Sequence, residues 1–327
     1  MPDTIIDVLI TEEMDAPGIQ QLTKDHRTVR DGTLWKDNAK LRAAIAGTRT
    51  IMIRNQTRLT GELLAAAPHL VGVGRVGVGL DNIDMTAASK LGVVVVSPVG
   101  ANAVSVAELA LGLLLALARK IPMADRSTKA GGWDRRGCNG LELDGKTLAI
   151  CGFGRIGQLV AARARAFGLR LVVFDPFVKA ESSLLRAHGA TLGSRLEEAL
   201  RDADFVTVHC PLTPETRHLF NAPAFAAMKP GAFFINTARG GIVDEAALIG
   251  ALRAGQLGGA ALDVREVEPP AAWGELEQFD NVILTPHIAA HTREAQTRTI
   301  EAVAADVDRL LRGEAAVSFV NFARPRR

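Results

Sequence analysis

The sequence predicts an α/β protein built on two doubly wound parallel sheets, and three observations carry that prediction. Short β-branched runs alternate with helical patterns from end to end, the mark of parallel strands joined by crossover helices. The strands fall into two series, separated by a long apolar helical run at residues 103–119. A glycine-rich stretch follows the first strand of the second series, where a nucleotide-binding sheet carries one. With 327 residues, the chain is long enough for two such domains, each with its own core.

In the first series the strands are "IIDVLIT", "TIMIR", "LVGVGRV" and "GVVVVSP", with helical stretches at about residues 36–45, 59–67 and 82–91 between them. The second series runs "KTLAICGFG", "LRLVVFDP", "DFVTVHCPL", "GAFFINTAR", "GGAALDV" and "NVILTPH". Six strands interleaved with helices is the count of a doubly wound nucleotide-binding sheet. Helical segments at 103–119 and about 292–311 flank this series, and the closing "AAVSFVNFA" reads as a strand that can only join the first sheet. The chain is therefore expected to leave its first domain, build the second and return. The expected division is a discontinuous substrate domain of residues 1–100 plus 288–327 and a nucleotide-binding domain of residues 101–287.

Composition excludes several classes. Hydrophobic residues make up 48% and charged residues 23%, the profile of a globular protein. A net charge of +2 gives no field for nucleic acid or a membrane surface. Three cysteines without CxxC spacing fit a reducing, cytoplasmic setting better than a disulfide framework. "MPDTIIDVLI" lacks the basic start of a signal peptide, and the longest apolar run is too short for a bilayer and contains Glu108.

The glycine stretch places Gly152, Gly154 and Gly157 in G-x-G-x-x-G spacing between a strand and a helix. Such glycines permit a tight turn and let backbone N–H groups approach a pyrophosphate at the helix N-terminus. The next strand ends at Asp175, about where an acid accepts bonds from the adenosine ribose hydroxyls. A carboxylate there repels a 2′-phosphate, so NAD is favoured over NADP.

Three charges follow later strands: Arg239 after "FFINTA", Glu268 in "DVREVEPP" and His287 in "LTPHIAAHT". Ligands of open α/β sheets bind at the carboxyl ends of strands, so one cleft can hold all three. Arginine offers a planar fork to a carboxylate. Histidine passes a proton near neutral pH, and a glutamate beside it fixes the ring. With a nicotinamide present, the set oxidises a small 2-hydroxy acid or reduces a 2-keto acid. His287 and His291 are four apart, but no HExxH or cysteine pair supports a metal. His209 reads as structural or at the cofactor's edge.

These residues lie in long motifs that resemble the D-isomer-specific 2-hydroxyacid dehydrogenases over nearly the whole chain: "GVGLDNID", "SVAELALGLLLALAR", "GKTLAICGFGRIG", "ADFVTVHCPLTPETRHLF", "MKPGAFFINTARGGIVDEAAL", "GAALDV" with "EPP", and "NVILTPHIAAHT". The resemblance implies two Rossmann-like or flavodoxin-like domains with a cleft between them, and a homodimer or larger assembly. It implies that Arg239 binds substrate, that His287 is the acid–base and that Glu268 is its partner. Arg155 and Ile156 would contact the pyrophosphate, Cys210 the adenosine side, Thr237 and Ala238 the nicotinamide, and Asp263 its carboxamide. The backbone of Val76, Gly77 and Val78 would bind the substrate carboxylate, Val78 lying on the cofactor side.

"MIRNQTRLT" and "GRVGVG" set Arg54 and Arg75 where similar phosphoglycerate dehydrogenases carry arginines for an acidic tail, so a second anionic group on the substrate is expected. A hydroxypyruvate or glyoxylate reductase is the alternative within the family, and an NAD(H)-sensing, corepressor-like binding protein the alternative outside enzymes. Two departures stand out. Arg265 occupies a place where the family usually has phenylalanine, and with the last residue at Arg327 the regulatory domain of longer members is not expected.

Overall fold

A computed structural model describes residues 5–327. The first four residues, on which part of the signal-peptide expectation rests, lie outside the described residues. In chain order the strands are β1 (Ile6–Ile10), β2 (Thr28–Arg30), β3 (Thr48–Ile53), β4 (Gly72–Arg75), β5 (Val94–Val96), β6 (Thr147–Cys151), β7 (Arg170–Phe174), β8 (Ala190–Leu192), β9 (Phe205–Val208), β10 (Ala232–Asn236), β11 (Leu257–Leu262) and β12 (Val282–Leu284). The α-helices are α1 (Pro17–Asp25), α2 (Asn38–Ala46), α3 (Gly61–Ala65), α4 (Met85–Lys90), α5 (Ala103–Ala118), α6 (Ile121–Lys129), α7 (Arg155–Ala166), α8 (Ser183–His188), α9 (Leu196–Leu200), α10 (Ala222–Ala227), α11 (Glu245–Arg253) and α12 (Arg293–Leu311). They form two compact units, one of Met1–Asn102 with Thr292–Arg327, the other of Ala103–His291.

The first unit holds a parallel sheet in the order β2-β1-β3-β4-β5, the flavodoxin-like winding. Its strands bury both faces, as parallel strands under helices must. Val8, Ile10 and Met52 face one core with Ile300, Val303 and Val307 of α12, while Leu9, Ile51, Ile53 and Val73 face the other with Leu41 and Ile45 of α2. Gly72 and Gly74 let α12 settle onto β4: a Cβ at either would lie 2.7 Å from Leu310 or 2.6 Å from Val303. Side-chain caps fix the helix starts, Asp37 for α2, Asp84 for α4 and Thr292 for α12.

The closing segment corrects an expectation. "AAVSFVNFA" is not a strand; it makes one antiparallel bridge, Phe319 to Val96. Val320 N–H donates to the Val95 carbonyl and Ser97 N–H to the Ser318 carbonyl, each at 2.8 Å, but Val317 and Ser318 N–H groups donate instead to the buried Asp306 carboxylate at 2.7 and 2.8 Å. The Asn321 amide stands in for strand backbone along β5, accepting from Val95 N–H and donating to the Val93 carbonyl.

The second unit holds seven parallel strands in the order β12-β11-β10-β9-β6-β7-β8. Counted within the unit this is the Rossmann order 3-2-1-4-5-6 with one further strand, and the winding reverses between β6 and β9. α5 and α7 pack on one face, while α9, α10 and α11 line the other. The seventh strand, β8, was not expected: its three residues carry no long β-branched run to announce it. No described helix is long and apolar enough to cross a membrane.

Candidate active site

The site is assembled on consecutive strands of the second sheet. Because β12, β11, β10, β9, β6 and β7 are neighbours in that order, their carboxyl ends set His287, Glu268, Arg239, His209, the glycine loop and Asp175 in a row. At about 4.8 Å per strand the row spans roughly 24 Å, enough for an extended dinucleotide beside a small acid.

At the β6 end, the glycines answer to different neighbours. Gly152 has a φ of +97°, and a Cβ there would lie 2.7 Å from the Cys210 nitrogen. A Cβ at Gly157 would lie 2.2 Å from the Gly152 carbonyl oxygen, so α7 needs a glycine to cross its own loop. Gly154 differs, because a Cβ there meets nothing within 4 Å. The protein does not need glycine at that position, but a pyrophosphate approaching the N-terminus of α7 would. Arg155 and Ile156 form the first turn of that helix.

Asp175 follows β7 and turns towards the loop. One carboxylate oxygen accepts from Phe153 N–H at 2.7 Å and the other from Phe177 N–H at 2.9 Å. Burial, with the Asp175 charge adding to it, pushes the Cys210 thiol up to about 11, so it stays neutral. Burial also pushes His209 down to about 3, which makes it a neutral ring rather than an acid–base group. Its Nε2 shares a 3.0 Å bond with Thr207 Oγ1, while its Nδ1 has no partner. Thr237 Oγ1 on the adjacent strand is likewise buried without a partner. Two orphaned polar atoms at neighbouring strand ends suit a ligand that brings its own hydrogen-bonding groups. The cradle, the acid and these atoms together fit NAD.

At the β10 end, Asn236 shapes the turn that presents Arg239. Its side chain accepts from Ala238 N–H and donates to the Arg239 carbonyl, each at 2.9 Å. The guanidinium itself donates to the Ala238 carbonyl at 2.7 Å. The following glycine is compelled by packing: a Cβ at Gly240 would sit 1.8 Å from the Arg265 carbonyl oxygen. That contact ties the Arg239 turn to the loop bearing Glu268.

Glu268 Oε2 lies 2.6 Å from His287 Nδ1, and its Oε1 accepts from Arg265 N–H at 2.9 Å. Burial pushes the Glu268 carboxyl up, but the His287 bond, the Arg265 N–H and the charges of His287 and Arg239 outweigh it and hold it below the usual carboxylate range. His287 sits at a φ of +55°, a left-handed conformation a non-glycine residue keeps only when its surroundings enforce it. Asp263 provides that enforcement. Its carbonyl accepts from His287 N–H at 2.8 Å, and its buried carboxylate accepts from Thr285 Oγ1, Ile288 N–H and Ala289 N–H. Its oxygens thus brace the histidine loop.

Sequence reasoning missed Asn236 as a functional residue. A polar residue closing the apolar run "AFFIN" was the available signal. The remaining expected residues lie in the first unit. Arg54 donates to the Glu13 carbonyl at 3.1 Å and to the Gln296 side chain. Arg75 is buried and donates to Asn82 Oδ1 and the Val76 carbonyl at 3.2 and 2.7 Å. Val76, Gly77 and Val78 form the bend after β4. His287 and His291 form no metal cluster, and none is found among the described residues.

Comparison with known proteins places the chain in a family. Residues 111–289 match the family described as D-isomer specific 2-hydroxyacid dehydrogenase, NAD binding domain. A D-3-phosphoglycerate dehydrogenase of Methanocaldococcus jannaschii is 42% identical over 97% of this chain, which spans only 60% of that protein's length. An (S)-sulfolactate dehydrogenase of Chromohalobacter salexigens is 44% identical over 89% of this chain and 94% of its own. Among solved structures, a D-lactate dehydrogenase of Aquifex aeolicus complexed with NAD and lactic acid superposes with a TM-score of 0.85 at 31% identity, covering 96% of this chain and 99% of that one. The chain belongs to the D-isomer specific 2-hydroxyacid dehydrogenase family.

Proposed function

We propose that the protein is an NAD-dependent dehydrogenase that interconverts a small D-2-hydroxy acid and its 2-keto acid. The observation that carries the proposal is the 2.6 Å bond between Glu268, which follows β11, and His287, which follows β12, with Arg239 presented by β10 on the other side of β11. Bound NAD supplies the hydride acceptor, and NADH the donor. Arg239 takes the substrate carboxylate in its guanidinium fork. Glu268 accepts from His287 Nδ1–H, which leaves Nε2 to remove the hydroxyl proton or return it to the carbonyl oxygen. Asp263 keeps the ring at that place through the loop it braces.

A substrate with a second anionic group is favoured by the two curated relatives, named for phosphoglycerate and sulfolactate. Arg54 and Arg75 are the proposed binders of that group, with the Val76–Gly77–Val78 backbone for the carboxylate. One observation favours a hydroxypyruvate or glyoxylate reductase instead: both arginines already have protein partners, Glu13 and Gln296 for one, Asn82 and Val76 for the other. A cytoplasmic homodimer completes the proposal; the three free cysteines suit a reducing compartment.

The test is the initial rate of NADH oxidation with glyoxylate, hydroxypyruvate, phosphohydroxypyruvate, sulfopyruvate, pyruvate and oxaloacetate. Preference for the phosphorylated or sulfonated acid supports the two-anion reading, and preference for hydroxypyruvate or glyoxylate supports the reductase. Tight NADH binding without turnover of any of them would overturn the enzyme and favour a sensor. Light scattering on the eluting protein tests the dimer.

A further inference from the structure

The loop that carries Glu268 is anchored from outside the site by a cluster of charges with no part in the proposed chemistry. Arg265 lies three residues before Glu268, and its side chain is only 16% exposed. Its Nε and Nη2 donate to the two oxygens of Glu245 at 3.0 and 3.1 Å, and its Nη1 donates to Glu277 at 2.7 Å. Glu245 also accepts from Glu266 N–H at 2.7 Å, so one carboxylate holds both the side chain and the backbone of the loop. Glu277 accepts in turn from Gly274 N–H. Glu266 is paired with His218 at 2.8 Å, which secures the loop on its third side.

The geometry points to Arg265 as a positioning residue: the Glu245–Arg265–Glu277 clamp holds the loop so that Arg265 N–H and His287 Nδ1 engage opposite oxygens of Glu268. The carboxylate then has one orientation, with Oε1 fixed by backbone and Oε2 left for the imidazole. The clamp also reaches Arg239. Glu245 opens α11, which begins shortly after the Arg239 turn, and the Arg265 carbonyl is the atom that packs against Gly240. The bidentate grip requires the guanidinium fork; an ammonium at the same place could reach both acids only as a point charge.

This inference rests on the reading of Glu268 and His287 above, so the test must separate the two. A neutral imidazole bonded through Nδ1–H to a carboxylate is held in the Nδ1–H tautomer, whichever reaction follows. Long-range proton–nitrogen NMR correlations on histidine-labelled full-length protein report that tautomer without turnover, and loss of a peak in His287→Gln assigns it. The expected results are a predominant Nδ1–H form in the unmodified protein, a shift towards Nε2–H in Arg265→Met, and retention of most of the Nδ1–H form in Arg265→Lys. Should Arg265→Met not fold, Glu277→Gln removes one arm of the clamp and is expected to give a smaller shift in the same direction. NADH affinity is expected to be unchanged in each. If Glu268→Ala moves the tautomer and the clamp variants do not, the positioning role is overturned and the Glu268–His287 reading stands. If the unmodified protein already shows Nε2–H, both are overturned.

Discussion

The two ends of the sheet in Ala103–His291 solve the same problem, presenting polar groups above a hydrophobic sheet, by opposite means. At the β6 end the work is done by the absence of side chains: Gly152 and Gly157 let backbone pass within a distance that any Cβ would block. At the β10 to β12 end it is done by charged and amide side chains, with Asn236 closing the Arg239 turn and Asp263 and Arg265 each tying their loop to a neighbour. The first end is built to receive a ligand's bulk. The second is built to hold individual atoms at set positions. Substitutions should therefore fail differently at the two ends, by affinity and folding at the first and by turnover at the second.

The sharpest break of that contrast is His287→Ala. Loss of a positioned acid–base group is expected to lower kcat by roughly 10²–10⁴-fold. NADH affinity, read by fluorescence titration, and the melting temperature should barely move. Retention of full kcat would remove the acid–base role.

Next comes a pair at the other end. Gly152→Ala meets both a left-handed φ and backbone at 2.7 Å, so it is expected to destabilise by about 1–3 kcal/mol. Gly154→Ala meets no protein atom and should leave the melting temperature alone while weakening NADH binding by roughly ten- to a hundredfold. Equal melting losses in the two would mean that Gly154 serves the fold and not a ligand.

A smaller effect is expected from acid. Glu268 is held below the usual carboxylate value in the folded protein, against about 4.3 when unfolded. Its contribution to stability is therefore complete above that unfolded value and lost as pH falls through the lower folded one. Urea melts of the protein and Glu268→Gln should differ at pH 6 and converge in strong acid. Smallest of all is His209→Gln. A ring whose value burial holds at about 3 does not titrate in the working range, so the pH profile of kcat/KM should keep its shape between pH 5 and 9.

Legibility in the sequence followed the same division. Glycine spacing, β-branched runs and the acid closing β7 are local patterns, and they led to the two parallel sheets and to the loop at Gly152. Arg239, Glu268 and His287 could be named because each follows a strand, and the structure sets the last two 2.6 Å apart. What could not be read depends on partners remote in sequence. Nothing near Arg265 announces Glu245, and nothing near Asp263 shows that its carboxylate will be used by residues 285–289. The three-residue β8 and the β2 strand at the sheet edges are too short to leave a period. "AAVSFVNFA" has strand composition, but the carboxylate of Asp306 takes the N–H groups of Val317 and Ser318, and only a single bridge with β5 is left.

The helix α12 has a consequence for how the molecule is made. It supplies Ile300, Val303, Val307 and Leu310 to the core of a sheet whose strands are all encoded before Asn102. On a ribosome, that first sheet emerges with one face covered only in part, by Ile19 and Leu22 of α1, and must wait for the rest while the whole of Ala103–His291 is synthesised. The nucleotide-binding unit, contiguous in sequence, can close its core in the meantime. Order of synthesis and order of folding are thus inverted, and the N-terminal strands spend that interval as the part of the nascent chain most in need of a chaperone.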